Sequence, residues 1–296
     1  MTQSLSIILP AKNEANSLDT LLPRIKALYP GAQIIVVDDG STDHTVAVCI
    51  KHAVNIVSHP INLGNGASIK TGARHATGDL LVFMDADGQH DPSDIARLLK
   101  KLDEGFDMAV GARTFKSQAS VGRHFANAAY NRLASMMTGR QILDLTSGFR
   151  AARSKHFKKF LYLLPNGFSY PTTSTMAFCR SGHPISYIPI HARKREGKSK
   201  IRAVRDGVRF FVIILKIGAL FSPMRLFLPV SALLFLLGAA YYIYTYSIEH
   251  RFTNMSALLI TASLLSFLIG IISEQISALH YKGVDSENID PNNGSR

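Results

Sequence analysis

Asp85-Ala86-Asp87 sets two carboxylates one residue apart, and Gln89 adds a carboxamide two residues later. Hard oxygen donors clustered in this way suit Mg2+ or Mn2+, cations that usually share their shell with substrate phosphates. The competing explanation is an acidic turn in which Asp87 or Asp91 caps a helix opened by Pro92, and an isolated D-x-D does not decide between them. Further chemistry-bearing residues recur along the chain: Pro10-Ala11 with Glu14, Asp38-Asp39, Lys70, Arg113 and Asp144.

The elements that must position them alternate. Leu5–Leu9, Ile34–Val37, Asn55–Val57, Leu80–Met84 and Met108–Gly111 read as short apolar strands. Amphipathic stretches between them predict helices from Asn16 or Ser17 to Leu28, from the Asp38–Asp43 turn to Ala53, over Ala67–Ala76 and over Ile95–Leu102. This alternation predicts an α/β domain with a parallel, doubly wound sheet, whose ligands bind beyond the carboxyl ends of the strands. Pro10-Ala11, Asp38-Asp39, Asp85-Ala86-Asp87 and Gly111-Ala112-Arg113 all fall at that edge, which favours a binding site over unrelated turns. Gly64-Asn65-Gly66-Ala67-Ser68-Ile69-Lys70-Thr71 imitates a phosphate loop, but Ile69 stands where that motif needs glycine. Its glycines are expected to admit a ligand to the backbone, with Lys70 as a charge partner or as a solvated lysine.

Taken in order, Pro10-Ala11-Lys12-Asn13-Glu14, Val37-Asp38-Asp39-Gly40-Ser41-Thr42-Asp43, Asn62-Leu63-Gly64 and Asp85-Ala86-Asp87-Gly88-Gln89-His90 resemble the successive motifs of family-2 glycosyltransferases. Within that family the chain is most similar to the dolichyl-phosphate mannosyltransferase and polyprenyl-phosphate glycosyltransferase branch, over roughly residues 4–205. The resemblance implies a GT-A nucleotide-sugar-binding domain in which Pro10, Ala11, Glu14, Asp38 and Asp39 hold the nucleoside. It also implies that Asp85, Asp87 and Gln89 hold the metal on the diphosphate, with Ala86 between them in the donor site.

On the acceptor side, Arg123, Asn127 and Arg132 share an expected helix over Ser120–Met137. Arg113 and Arg123 match arginines that the resembling enzymes place near donor and acceptor phosphates; Asn127 stands where a serine is expected. Asp144-Leu145-Thr146-Ser147-Gly148-Phe149-Arg150 resembles a family loop over the reaction centre, which makes Asp144 the acceptor-side carboxylate, as base or as organiser. Phe168–Thr175, where family members acting on hydroxyls carry an acidic pair, has no carboxylate. A hydroxyl nucleophile needs a general base, whereas a phosphate monoester, with a second pKa of about 6, is already mostly ionised. The acceptor is therefore read as a phosphate, gripped by Arg113, Arg123, Asn127 and the cluster Arg193, Lys194, Arg195, Lys198 and Lys200, whose Gly197-Lys198-Ser199-Lys200 part resembles the basic loop of this branch.

The chain has 296 residues, a formal charge of +12 and 47% hydrophobic residues. Two distant cysteines, Cys49 and Cys179, argue against disulfide scaffolds and zinc sites and fit a reducing compartment. Met1-Thr2-Gln3-Ser4 lacks the regions of a signal peptide. Leu226–Tyr246 and Ala257–Ser273 carry no charge and are of a length to cross a hydrocarbon core of about 30 Å. From Arg193 to Arg225 ten Lys and Arg face only Glu196 and Asp206, so the positive-inside rule sets the catalytic domain in the cytoplasm, of a bacterial inner membrane by resemblance. The expected division is a catalytic domain over 1–205, an interfacial helix over 206–225, a transmembrane hairpin over 226–279 and a polar tail over 280–296. The basic cluster lacks a recognition motif or stacking aromatics, so nucleic acid is not an expected partner.

The expected activity is inverting, metal-dependent transfer of one sugar from a nucleotide diphosphate sugar to a polyprenyl phosphate. UDP-glucose is favoured over GDP-mannose by resemblance, and homo-oligomers are compatible with it. A processive polysaccharide synthase would need a Q-x-x-R-W motif, and the chain has no tryptophan. A non-catalytic nucleotide-sugar-binding subunit would not need the intact Asp85, Asp87 and Gln89 set.

Overall fold

The computed structural model of the chain describes residues 3–113, 121–167, 169–191, 219 and 221–286, with backbone alone at 121–127, 129, 249 and 280–286. Strands β1 (Leu5–Ala11), β2 (Gln33–Asp38), β3 (Asn55–Ser58), β4 (Leu80–Phe83), β5 (Met108–Arg113), β6 (Arg150–Arg153) and β7 (Ile185–Ile190) form one sheet in the order β3-β2-β1-β4-β6-β5-β7. Its central strands are apolar on both faces because helices cover both. Successive side chains alternate: Ile7, Leu9 and Ala11 join a core with Leu18, Leu21, Leu22 and Ile25 of α1 (Ala15–Leu28) and Ile95, Leu98 and Leu102 of α4 (Asp94–Asp103). Ile8 points the other way, against Gly72 of α3 (Asn65–His75), where a Cβ would strike its side chain. The shorter α2 (Thr45–Lys51) buries Thr45 and Cys49.

Strands β1 to β4 pair in parallel as the alternation predicts. The sheet is nevertheless mixed. β6 runs antiparallel between β4 and β5, with Leu80 opposite Arg153, Phe83 opposite Arg150 and Met108 opposite Ala152. Arg150-Ala151-Ala152-Arg153 shows neither β-branched residues nor alternation; the space between β4 and β5 makes it a strand, not its local propensity. β7 completes the edge beside β5, where Pro189 is tolerated because an edge strand need not donate on its outer side.

Beyond β5, α5 (Val121–Thr138) is followed by the 139–149 loop, α6 (Ser154–Lys159) and α7 (Tyr170–Arg180). Residues 170–178 of α7 are all buried. Phe83, Phe157, Phe160 and Phe178 pack in succession beneath it, with ring centroids 4.4 Å apart for the first pair, 6.4 Å between Phe157 and Phe178 and 5.4 Å between Phe160 and Phe178.

The chain divides into two compact units, Met1–Ile201 and Arg202–Arg296. In the second, α8 (Pro223–Glu249) and α9 (Asn254–Ser286) are joined by a turn in which His250 adopts a left-handed conformation (φ 52°). Ser231 meets Ser263, Gly238 faces Leu259 and Ile260, and Gly270 faces Phe227, so the helices run antiparallel. Both are long and apolar enough to cross a membrane, and only 11% and 17% of their most apolar windows are buried. Most of the expected interfacial helix, 206–225, lies outside the described residues, as do 192–205 and 287–296; α8 itself begins at Pro223.

Candidate active site

The carboxyl ends of β1, β2, β4 and β5 carry the predicted residues to one edge, and the loops after them are laced together. Asn13, at φ 58° in a conformation that asparagine tolerates better than most residues, accepts from the Thr42 amide at 2.8 Å, while its own amide donates to Ser41 Oγ at 2.9 Å. The Glu14 amide donates to Thr45 Oγ1 and the Ala15 amide to Asp43. Pro10, Ala11 and Glu14 therefore stand beside Asp38 and Asp39 through backbone-directed bonds, and Asp38 accepts from the Ser41 amide at 3.1 Å.

The two adjacent aspartates differ. Asp39 is buried; it accepts from the Leu63 and Gly64 amides at 2.8 and 2.9 Å and pairs with His59 Nδ1 at 2.9 Å. Burial pushes its pKa up, but His59 and the two amides outweigh it and hold the carboxyl below the usual range. His59 is fixed in turn by Thr71 Oγ1 at 2.9 Å. Asp39 thus anchors the glycine-rich loop as well as flanking Asp38, a task its sequence context did not reveal. In that loop, Gly66 lets the chain pass beneath the 165–167 turn: its amide donates to Gly167 O, and any Cβ would strike Pro165 O. Lys70 turns away from the carboxylates and donates to Leu164 O at 3.1 Å and Asn166 Oδ1 at 2.5 Å. Lys70 thereby ties α3 to this turn while staying half-exposed. Burial lowers its pKa, with a smaller push from Arg74.

At the end of β4, Ala86 is buried and Gly88 takes φ 72°, turning the chain so that Gln89 reaches back. The Gln89 amide and its Nε2 donate to Asp87, the latter at 2.7 Å, which fixes that carboxylate and keeps the carboxamide oxygen in the same cluster. Asp91 accepts from Ser93 and pairs with Arg24 at 3.0 Å just before α4, whose N-cap is Ser93. Asp85 lies against Gly148: a Cβ there would come within 3.0 Å of Asp85 Oδ2 and 3.3 Å of the Tyr170 hydroxyl. Hard oxygens held in this way fit Mg2+ or Mn2+.

The loop over this edge is itself held by Arg113. Its Nε and Nη2 donate to Asp144 at 2.9 and 3.0 Å, a fork-to-carboxylate pair, and Nη2 also reaches Thr146 Oγ1. Asp144 additionally accepts from the Arg113, Thr146 and Ser147 amides. Burial raises its pKa, yet Arg113 and these amides win, and the carboxyl is held below the usual range. Of the two roles open to Asp144, that of organiser matches this environment; a general base would need a higher pKa and an open lone pair.

Three residues whose sequence context named no role complete the edge. Arg150 is fully buried and donates to Pro171 O, Ser174 Oγ, Thr175 Oγ1 and Ser147 O, bolting the loop to α7. Tyr170 donates to Gly148 O at 3.1 Å, beside Asp85; burial, then the Asp85 charge, raises its pKa. His90 stacks on Phe149 with centroids 4.9 Å apart, and burial pushes it down to about 4, leaving a neutral ring. The only sequence signal for His90 and Arg150 was their place within two motifs, and Tyr170 lay in the Phe168–Thr175 stretch that has no carboxylate. Arg123 and Asn127 lie on α5, but their side chains are outside the described residues, as are Arg193, Lys194, Arg195, Lys198 and Lys200. The phosphate-gripping role of all seven stays an expectation.

Residues 6–161 match the family model for glycosyl transferase family 2, and residues 222–279 match the GtrB C-terminal hairpin. Undecaprenyl-phosphate 4-deoxy-4-formamido-L-arabinose transferases from Salmonella paratyphi A and Salmonella dublin are each 33% identical over 214 residues, 69% of this chain and 64% of theirs. The chain thus spans less than two thirds of the length of these relatives. A glucosyl-3-phosphoglycerate synthase from Mycobacterium tuberculosis, solved with Mn2+, UDP-glucose and phosphoglyceric acid, shares the fold at a TM-score of 0.61 and 22% identity, over 73% of this chain and 80% of that one. With the family motifs in order along a GT-A sheet, the chain belongs to glycosyl transferase family 2.

Proposed function

We propose that this protein is a membrane-anchored glycosyltransferase that moves one sugar from a nucleotide diphosphate sugar to a polyprenyl phosphate. The observation that carries the reading is the carboxylate edge at the end of β4, where Gln89 fixes Asp87 and Asp85 is seated against Gly148. A divalent cation held by Asp85, Asp87 and Gln89 would supply charge neutralisation for a leaving diphosphate. Asp38, with Pro10, Ala11 and Glu14 beside it, lines the nucleoside end. Arg113 and Asp144 brace the loop that closes over the sugar.

A phosphate acceptor is supported by the lack of a competent base among the described residues of α7 and the 139–149 loop. α7 offers Thr172, Thr173, Ser174 and Thr175 but no carboxylate, and Asp144 is depressed and fully hydrogen-bonded. An ionised lipid phosphate attacks without surrendering a proton. The polyprenyl character of the acceptor is supported by the names of the relatives, and the membrane by the hairpin match and the two apolar helices. The positive stretch before α8 argues for a cytoplasmic active site.

The test is transfer of radiolabelled sugar by the full chain to undecaprenyl phosphate, with Mg2+ or Mn2+ and a panel of donors led by UDP-glucose and then GDP-mannose. Label entering the organic phase with one donor, and falling at least about a hundredfold in Asp87→Asn, is the expected result. Polymeric product would favour a processive synthase. Donor binding without transfer to any lipid phosphate would favour a binding subunit.

A further inference from the structure

At the opposite edge of the sheet, where β5 and β7 begin and β6 ends, three potential ligands from separate parts of the chain meet. Asp107 precedes β5, His156 lies in the first turn of α6 and His183 precedes β7; their ligand atoms all lie within 4.8 Å of one another. His183 Nδ1 is 2.8 Å from Asp107 Oδ2, and His156 Nε2 is 3.6 Å from Asp107 Oδ1. The two imidazole rings lie with centroids 4.1 Å apart, tilted by 48°.

His156 points to a ligand. Its Nε2 stands beyond hydrogen-bond distance of Asp107, and its Nδ1 is buried with no hydrogen-bond partner among the described residues. Buried imidazole nitrogens in folded proteins normally have partners. The frame around it is rigid. The Asp107 and Met108 amides both donate to Pro184 O, and the Arg153 amide donates to Asp107 O, so the three ligand-bearing segments are tied backbone to backbone. Arg153 Nε lies 3.4 Å from Asp107 Oδ1, the oxygen that also faces His156, and so helps to orient the carboxylate, as supporting groups around metal ligands do. Phe160 and Phe178 wall His183 on its apolar side.

We propose that Asp107, His156 and His183 form a second metal site, for a borderline transition-metal ion of the Zn2+ class. Two imidazoles with one carboxylate suit Zn2+ or Co2+, with water as a fourth ligand, and disfavour Mg2+, which prefers oxygen alone. Lying at the amino-terminal edge of the strands, the site would clamp β5, β6 and β7 together and take no part in sugar transfer.

The experiment is a titration of the full chain in detergent, stripped with chelator, using Co2+ as a visible probe and Zn2+ in competition. One equivalent of Co2+ should give the intense visible band of a tetrahedral site, Zn2+ should displace it, and Tm should rise until one equivalent is bound. The band should persist in Asp87→Asn and vanish in His156→Gln and His183→Gln. Arg153→Gln should weaken binding about tenfold to a hundredfold. If the wild type shows no band, the proposal is overturned. It is equally overturned if the band is lost in Asp87→Asn and kept in His156→Gln, since the metal would then sit at the catalytic edge. Circular dichroism identifies a variant that has not folded, and Asp107→Asn, close in volume, then stands in for it: binding retained at wild-type affinity overturns the site.

Discussion

Gly148 is the residue on which the position of Asp85 turns. An alanine there would bring a methyl within 3.0 Å of Asp85 Oδ2 and 3.3 Å of the Tyr170 hydroxyl. Gly148→Ala should therefore lower kcat at least about tenfold, because small misplacements of catalytic groups are costly, while Tm changes little. Steady-state kinetics at saturating Mn2+ would check it. Arg150 makes the opposite case. Arg150→Ala removes a buried cation, leaves Ser147 O without its donor and takes one of two side-chain donors from Pro171 O, so a loss on the order of 3 kcal/mol is expected in urea unfolding. Asp144 also gives a pH signature. Its folded-state pKa is depressed, so the unfolded chain binds the proton more tightly. Its contribution is complete above the unfolded value of about 4 and is lost as pH falls through the lower folded value. Asp144→Asn should flatten the acid limb of stability against pH, read by thermal melts between pH 5 and 3.

Helices and strands were legible in unequal measure. Where apolar period and turn chemistry agreed, as in β1, β2, β4 and α1, the boundaries read from sequence stand within a residue or two of those in the structure. β6 was hidden because Arg150-Ala151-Ala152-Arg153 has no strand propensity and owes its conformation to neighbours distant in sequence. The same cause hid Arg150, His90 and Tyr170: a buried polar network is defined by partners that periodicity does not name. The partners of Lys70, Leu164 and Asn166, were hidden for the related reason that they come about a hundred residues later. A prediction follows for α3. Gly66→Ala would force the helix away from Pro165 O, and a loss of about 1–3 kcal/mol is expected by thermal unfolding.

At the scale of the molecule, a soluble-type sheet unit and an apolar hairpin obey different rules. Within the hairpin, Ser231 and Ser263 exchange hydrogen bonds to each other's carbonyls, both at 2.9 Å, and Gly238 and Gly270 allow close approach of the helices. Such bonds between apolar helices are each worth about 0.6 kcal/mol on average, so Ser231→Ala should cost little. Gly270→Leu, which must displace Phe227, should separate the pair, a difference that distance measurements between spin labels on α8 and α9 would show.

The antiparallel placement of β6 has a consequence for the order in which the chain can assemble. β5 leaves the ribosome long before either of its neighbours, since both β6 and β7 follow it in sequence. The β3-β2-β1-β4 half can close as soon as β4 is made, whereas β5 must wait for about forty residues with both edges unpaired. Pairings of such long range are slow, and open edges of this kind invite aggregation and chaperone capture. A nascent chain stalled when Arg113 has just cleared the ribosome should therefore engage chaperones more strongly than one stalled after the whole sheet has emerged.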